Sequence, residues 1–202
     1  MSAVARPQPG FDGKLGIWRV AKNYTAMRDS KSHKRGDVYE KDRTMASDDY
    51  FKMMQEQVFP SIIEGFSNAP NIKHVRVQQD KSRPHTGKNV VDGLNAIGAT
   101  LTPIITVVTQ PAHSPGMNVN DLGLFRALDV KVERRRRGMK RGKMDPEQLA
   151  RDVVATYAAF DEEKLDRIWE YKRYVMRCVE ATKGGNTYEC HRPSTDVSEP
   201  VV

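Results

Sequence analysis

The sequence predicts an α/β fold in which a mixed central sheet is flanked by helices. Residues 102–108 form an almost continuous apolar and β-branched run, which is typical of a buried strand. Tyr50, Met54, Val58 and Ile62 recur instead at helical spacing. Predicted strands and helices alternate along the chain before a final run of helices, and this alternation favours helices layered on a sheet.

Each element follows from a local signal. Residues 11–24 favour strands after a tight turn at Asp12-Gly13, and Ser47 is a suitable N-cap for the first helix. Residues 74–79 alternate as a strand that delivers Asp80 at its C-terminal end. The other predicted elements, in chain order, are a polar loop (29–37), a short strand (38–41), a helix (86–97, ended by Gly98), a Pro-rich loop (110–117), a helix (120–132), a helix starting at Asp145-Pro146, and a last helix capped by Asp161 and closed by Gly184-Gly185.

The positive charge is concentrated in one segment. The chain has 202 residues, which fits one domain, and a net charge of +7. Residues 131–143, expected as a basic loop, hold eight basic residues and one Glu, so the rest of the chain is neutral overall. Such a run can neutralise DNA phosphates or act as a nuclear-import signal, and its plain alternative is a solvated, mobile loop. The candidate DNA-binding residues are Lys131, Arg134, Arg135, Arg136, Arg137, Lys140, Arg141 and Lys143.

Composition argues against several classes of protein. No apolar run approaches the roughly 20 residues that span a bilayer, and the N-terminus lacks the pattern of a signal peptide. Cys178 and Cys190 make no disulfide framework, and Cys190-His191 has no second ligand pair nearby for zinc. The sequence therefore predicts an intracellular protein that is not secreted and has no membrane partner.

Two carboxylates stand at the edges of predicted elements. Asp80 follows a strand and Asp121 opens a helix, and both positions are rigid enough for metal ligands. Phosphoryl transfer on nucleic acids commonly uses two Mg²⁺ ions held by carboxylates, because Mg²⁺ prefers hard oxygen ligands. The alternative is structural, since Asp often forms a turn after a strand or caps a helix.

Four motifs in order resemble the mariner-like transposases, especially their plant-type branch. They are FDGKLGIW (11–18), QQD-x-x-RPH (78–85), QP-x-x-SP-x-x-N-x-x-DLG-x-F (110–125) and KGGNTY (183–188). The resemblance implies an RNase H-like fold and a catalytic domain of the DD(E/D) superfamily. It also implies Mg²⁺ or Mn²⁺ as cofactor, transposon-end DNA as partner, a possible homodimer and a nuclear location.

The resemblance also implies roles for individual residues. By motif position, Asp80 corresponds to the second catalytic acid and metal ligand, and Asp121 to the third. Forty residues separate them, close to the plant-type spacing. His85 belongs to the RPH motif, and we expect it to cap or pack behind Asp80 rather than to react.

The chain departs from the family pattern at several points. Lys81 replaces the usual Asn and could pair with Asp80, and Gly116 replaces the usual Asp. The first acid of the family lies on a strand upstream of the FDGK hairpin, and Met1 stands immediately before that hairpin. We therefore expect an N-terminal stub (1–10), a partial catalytic domain without its first strand (11–188) and a disordered tail (189–202).

Three interpretations remain open. The chain is a transposase fragment with poor nuclease activity, because two carboxylates leave a metal pair under-coordinated. Alternatively it is a non-enzymatic DNA-binding remnant that acts through its basic segment, or the product of a gene whose start lies further upstream. The first interpretation also predicts marginal stability, since a sheet without a strand exposes an edge.

Overall fold

The computed structural model describes residues 1–69, 71–112, 114–137 and 146–185. The strands are β1 (Ser2–Val4), β2 (Lys14–Ile17), β3 (Ala21–Thr25), β4 (Val38–Asp42), β5 (His74–Gln79) and β6 (Ile104–Thr109). The helices are α1 (Ser47–Met53), α2 (Phe59–Gly65), α3 (Val90–Gly98), α4 (Phe125–Arg136), α5 (Pro146–Ala158) and α6 (Glu162–Ala181), with π-helical turns at Met54–Val58 and Asn120–Leu124 and a 3₁₀ turn at Pro115–Met117.

The α/β class is confirmed, but the strands do not join into one central sheet. Among the described residues they form three two-stranded sheets, β1–β2, β3–β4 and β5–β6. Only β5 and β6 run parallel, from His74 beside Ile104 to Gln79 beside Thr109. The expectation of one mixed sheet is wrong at this level, because β1 and β5 each pair on one side only.

The helical stripe predicted for residues 50–62 is confirmed. Tyr50, Met54, Val58 and Ile62 are all buried, and they pack with residues of β6 and α3 in the main core. The helix starts at Ser47 with Ala46 as its N-cap, so the prediction of Ser47 as the cap is wrong by one residue. Asp49 supplies the capping contact instead, since its Oδ2 accepts a hydrogen bond from the Ala46 backbone N–H at 3.0 Å.

Helix α3 covers the outer edge of β6. Asn95 Oδ1 accepts a hydrogen bond from the backbone N–H of Val107 at 2.7 Å, and Asn95 Nδ2 donates to the carbonyl of Val107 at 3.2 Å. Gly98 lies so close that a Cβ there would overlap the carbonyl oxygen of Ile105. An edge strand covered in this way is closed to further strand pairing.

Residues 1–10, expected as a stub, are built into the fold. Strand β1 pairs antiparallel with β2, and Trp18 N–H donates to the carbonyl of Met1 at 2.8 Å. Arg6 forms ion pairs with Asp166, at 2.8 Å, and with Glu170 on α6. The stretch before the FDGK hairpin is therefore a strand fastened to the last helix.

The second half of the chain forms a helical layer with its own core. Leu124, Leu128, Tyr157, Phe160 and Leu165 are buried together where α4, α5 and α6 meet. The predicted starts of the last two helices agree with the structure, although the predicted cap Asp145 lies outside the described residues. Pro146 opens α5, and Asp161 caps α6 by accepting a hydrogen bond from Lys164 N–H at 2.9 Å.

The C-terminal end of α6 matches the predicted glycine stop. The helix ends at Ala181, and Gly184, with φ of 93°, donates its N–H to the carbonyl of Val179 at 2.7 Å. The predicted tail (189–202) lies outside the described residues. In the part of the chain that the structure describes, no helix combines the length and apolar character needed to cross a bilayer.

Candidate functional site

Asp80 lies directly after β5, where its carboxylate closes a tight turn. Asp80 Oδ1 accepts a hydrogen bond from Ser82 N–H at 2.9 Å and lies 2.6 Å from His85 Nδ1. The His85 ring packs on Tyr50 with ring centroids 4.1 Å apart. The predicted position of His85 behind Asp80 agrees with this geometry, while Lys81 is exposed and forms no ion pair with Asp80.

These contacts set the charge of Asp80. Burial opposes its ionisation, but the hydrogen bonds from Ser82 and the neighbouring His85 outweigh burial and hold the pKa of Asp80 below its usual range. The turn also explains why α3 starts later than predicted. Residues 82–86 fold into successive turns around Asp80, so the helix begins at Val90 rather than at residue 86.

Gln79, the last residue of β5, holds this turn in place through the hydrogen bonds of its side chain. It is buried, its Oε1 accepts a hydrogen bond from Tyr50 Oη–H at 2.6 Å, and its Nε2 donates to the His85 carbonyl at 2.9 Å and to Thr109 Oγ1 at 3.0 Å. One amide therefore ties α1, β6 and the Asp80 turn together. A polar residue at the end of an apolar strand was the sequence signal for this role.

Asp121 lies in the first turn of the helix that continues into α4. Its Oδ2 accepts a hydrogen bond from Asn118 Nδ2 at 2.8 Å, and Asn118 Oδ1 accepts one from Asn120 N–H at 3.1 Å. Burial raises the pKa of Asp121, and the charge of Asp80 adds to this rise against the hydrogen bond from Asn118. The structure thus places the two sequence-predicted carboxylates close enough for the charge of one to affect the pKa of the other.

A buried lysine joins the two acid-bearing segments, and sequence reasoning missed it. Lys172 is 9 % exposed, its Nζ donates to Gln78 Oε1 at 2.9 Å, and Gln78 Nε2 donates to Gln110 Oε1 at 2.8 Å and to the Met117 carbonyl at 2.7 Å. Burial lowers the pKa of Lys172. The signal was its position on the apolar stripe of α6, seven residues after Leu165.

Both carboxylates lie at a cleft of about 740 Å³ between β1 and β5. Its walls include residues 1–6 on one side and 75–80 on the other, with Met54 and Ile62 among its apolar residues. Ile104 N–H donates to the Lys73 carbonyl, and Gln110 N–H donates to the Gln79 carbonyl. In a parallel pair the backbone groups of alternate residues point to the same neighbour, so the odd-numbered residues of β5 form the backbone hydrogen bonds to β6.

The even-numbered residues of β5 present their backbone groups to the cleft. Among the described residues, no hydrogen bond involves the backbone N–H or carbonyl of Arg76 or Gln78. On the facing strand, the Ser2 carbonyl accepts a hydrogen bond from the Asn120 side chain at 3.3 Å. The cleft thus lies between two strand edges that pair with no further strand in the described part of the chain.

The donor set does not fit a two-ion metal centre. Asp80 Oδ1 already contacts Ser82 N–H and His85 Nδ1, and Asp121 Oδ2 accepts one hydrogen bond, so part of the acceptor capacity of each carboxylate is used. The residues covered by the structure contain no group of three or more His, Cys, Asp or Glu side chains that could hold a metal ion. Mg²⁺ and Mn²⁺ prefer several hard oxygen ligands, so two partly used carboxylates supply too few.

The basic segment is helical where the structure describes it, although a loop was expected. Residues up to Arg136 belong to α4, because cations in a last turn interact favourably with the helix dipole. Lys131 lies over the Phe160 ring at 4.8 Å, and Arg137 pairs with Glu133 at 3.4 Å. Arg134 and Arg135 are exposed and Arg136 is half-buried, whereas Lys140, Arg141 and Lys143 lie outside the described residues.

No protein-family model and no curated protein matches this chain. The resemblance to a transposase family therefore rests on the sequence motifs alone. Part of the last motif (186–188), and Cys190 with His191, fall outside the described residues.

Proposed function

We propose that this chain is part of a mariner-like transposase catalytic domain with an RNase H-like fold, and that it binds DNA without cleaving it. The observation that carries the proposal is that Asp80 and Asp121 both line one cleft, where the charge of Asp80 influences Asp121. The motifs separate these residues by forty positions, and each is held by its own turn. Agreement between motif order and spatial proximity supports a common catalytic ancestry for the pair.

The cleft supports the same proposal from the backbone. In the family that the chain resembles, a further strand carries the first acid, and a strand in a sheet needs neighbours with free backbone groups. The edges of β1 and β5 offer such groups on opposite sides of the cleft. An added strand there would extend two small sheets into one and would bring its side chains beside Asp80.

The proposed lack of cleavage follows from the donor count. With no third carboxylate grouped beside it among the described residues, the pair supplies too few ligands to hold two ions at the 3.5–4 Å or so that phosphoryl transfer commonly uses. Burial raises the pKa of Asp121 and the charge of Asp80 adds to this rise, so keeping both carboxylates charged side by side is unfavourable. We therefore derive no metal-dependent step for the chain as given.

A nicking assay on supercoiled DNA tests this proposal. We expect the full chain to produce no nicked product in Mg²⁺ or Mn²⁺ above the level seen with Asp80→Ala. Asp92→Ala is the matched control, because Asp92 is an exposed acid on α3 away from the cleft. The contrary result is cleavage by the wild-type chain that persists in the Asp92 variant and disappears in the Asp80 and Asp121 variants. Such a result would overturn the proposal that the chain does not cleave DNA.

DNA binding is the activity that remains, and the end of α4 favours it. Arg134 and Arg135 are exposed, and neither forms an ion pair with another described residue. Cations of this kind release counterions when they meet phosphates, so binding should weaken steeply with salt and be indifferent to metal. Neutralising both to Gln should lower the slope of log affinity against log salt by up to about two. An unchanged slope would contradict a role for this helix end.

A further inference from the structure

Strands β3 and β4 form an arm, residues 21–42, that projects from the fold. Ala21 pairs with Asp42 and Thr25 with Val38 at the two ends of the ladder. No residue in the arm is buried, and Met27 and Val38 are exposed over 84 % and 67 % of their surface. A hairpin that covered the core would bury one face, and this one buries neither.

The acids of the arm are occupied. Glu40 and Asp42 at its base pair with Arg19 at 3.3 Å and 2.6 Å. At the tip, Asp29 Oδ1 accepts a hydrogen bond from Arg35 N–H at 2.7 Å, and Asp37 Oδ2 accepts one from Lys34 N–H at 2.6 Å. The tip carboxylates therefore brace the loop backbone.

The cations of the tip have no such partners. The side chains of Arg28, Lys31, Lys34 and Arg35 are exposed, and none forms an ion pair with another described residue. The tip, residues 26–37, thus carries four cations against two acids. The Ser30 Oγ also accepts from His33 N–H at 3.0 Å, and the His33 ring stacks on Tyr39 at 3.9 Å. The cations are consequently held on an ordered frame before any ligand binds.

We propose that the arm is a second DNA-contacting element, which binds the phosphates of duplex DNA through its four tip cations. A two-stranded ribbon fits the major groove, which is about 12 Å wide, and five-residue strands extend about 17 Å from the base. Binding through phosphates gives affinity without sequence preference. The inference rests on the proposed function in taking DNA as the ligand.

Fluorescence anisotropy with a labelled 30-base-pair duplex of arbitrary sequence tests the arm in the full chain. The test variant is R28A/K31A/K34A/R35A, and the matched control, which removes four exposed lysines elsewhere, is K52A/K73A/K88A/K164A. Each phosphate contact contributes about −0.9 to the slope of log affinity against log salt concentration. We therefore expect the slope of the arm variant to be smaller in magnitude than that of the wild-type chain by about 2–4. Its affinity in low salt should fall about tenfold or more, and the control should change far less.

Thermal unfolding of the variant checks that the fold persists, since the arm contributes no buried residue. An arm variant that binds with the wild-type slope and affinity, a control that loses as much, or a wild-type chain that does not bind duplex DNA in low salt would each overturn the inference. Nicking, the readout for the acid pair, is measured separately. Failure of the arm is therefore distinguishable from failure of the proposal that the chain does not cleave DNA.

Discussion

Replacing Gln79 with Leu removes the amide that supports the Asp80 turn. The Tyr50 hydroxyl, which is buried in a side chain only 3 % exposed, would lose its acceptor at 2.6 Å. An unsatisfied buried hydroxyl costs about 1–3 kcal/mol. The His85 carbonyl and Thr109 hydroxyl also lose a donor, but both residues are only partly buried and water can replace it. We expect Gln79→Leu to destabilise the fold by about 1–3 kcal/mol.

Urea unfolding and thermal unfolding, each followed by circular dichroism, measure this cost. The melting temperature should fall by roughly 2–4 °C per kcal/mol for a chain of this size. Gln55→Leu is the matched control, because Gln55 is exposed on the π-helical turn that follows α1 and its loss should stay within about 0.5 kcal/mol.

A double-mutant cycle with Tyr50→Phe isolates the hydrogen bond. The double variant removes both polar partners, so it should cost about 1–2 kcal/mol less than the sum of the single variants. Strict additivity, or a Gln79→Leu variant as stable as the Gln55 control, would refute the assignment of Gln79 as the anchor of the site.

Three further results are expected from the same unfolding assay. Because the pKa of Asp80 is lowered in the fold, its charge stabilises above about pH 4 and this contribution is lost as pH falls further, so Asp80→Asn should cost more at pH 6 than at pH 3. Because burial lowers the pKa of Lys172, the folded chain loses this proton at a lower pH than the unfolded chain does, and wild-type stability should gain on that of Lys172→Met as the pH rises towards about 10.4. Gly98→Ala should cost about 1–3 kcal/mol by overlap with the Ile105 carbonyl, whereas Gly123→Ala, whose methyl would meet the Ile168 side chain at 3.3 Å, should not destabilise. An Asp80→Asn cost that is the same at pH 6 and pH 3 would contradict the first prediction. Stability profiles against pH that run parallel for the wild-type chain and Lys172→Met would contradict the second, and equal stabilities of the two glycine variants would contradict the third.

Local pattern predicted the elements well where a single strong period was present. Strand β5 has the predicted bounds, and the stripe from Tyr50 to Ile62 is buried as expected. The start of α3 was missed because Asp80 and Ser82 stabilise turns at residues that also suit a helix. Whether these residues form turns or a helix depends on side-chain hydrogen bonds, and the spacing of apolar residues carries no information about those bonds.

Contacts distant in sequence account for the rest of the site. Lys172 and Gln78 are 94 residues apart, so nothing in either segment indicates their hydrogen bond. The pairing of strands was likewise beyond local pattern. Alternation along the chain favours a sheet, but it does not decide which strand edges remain unpaired.

Amide hydrogen exchange along β5, followed by NMR in the full chain, tests most directly whether an open strand edge lies beside the acid pair. The amides of Val75, Val77 and Gln79 face β6, whereas those of Arg76 and Gln78 face the cleft. We predict alternation, with slow exchange at the three odd positions and fast exchange at the two even ones. Uniform protection along β5 would mean that the edge is already paired, and it would contradict an acid pair that stands at an open edge.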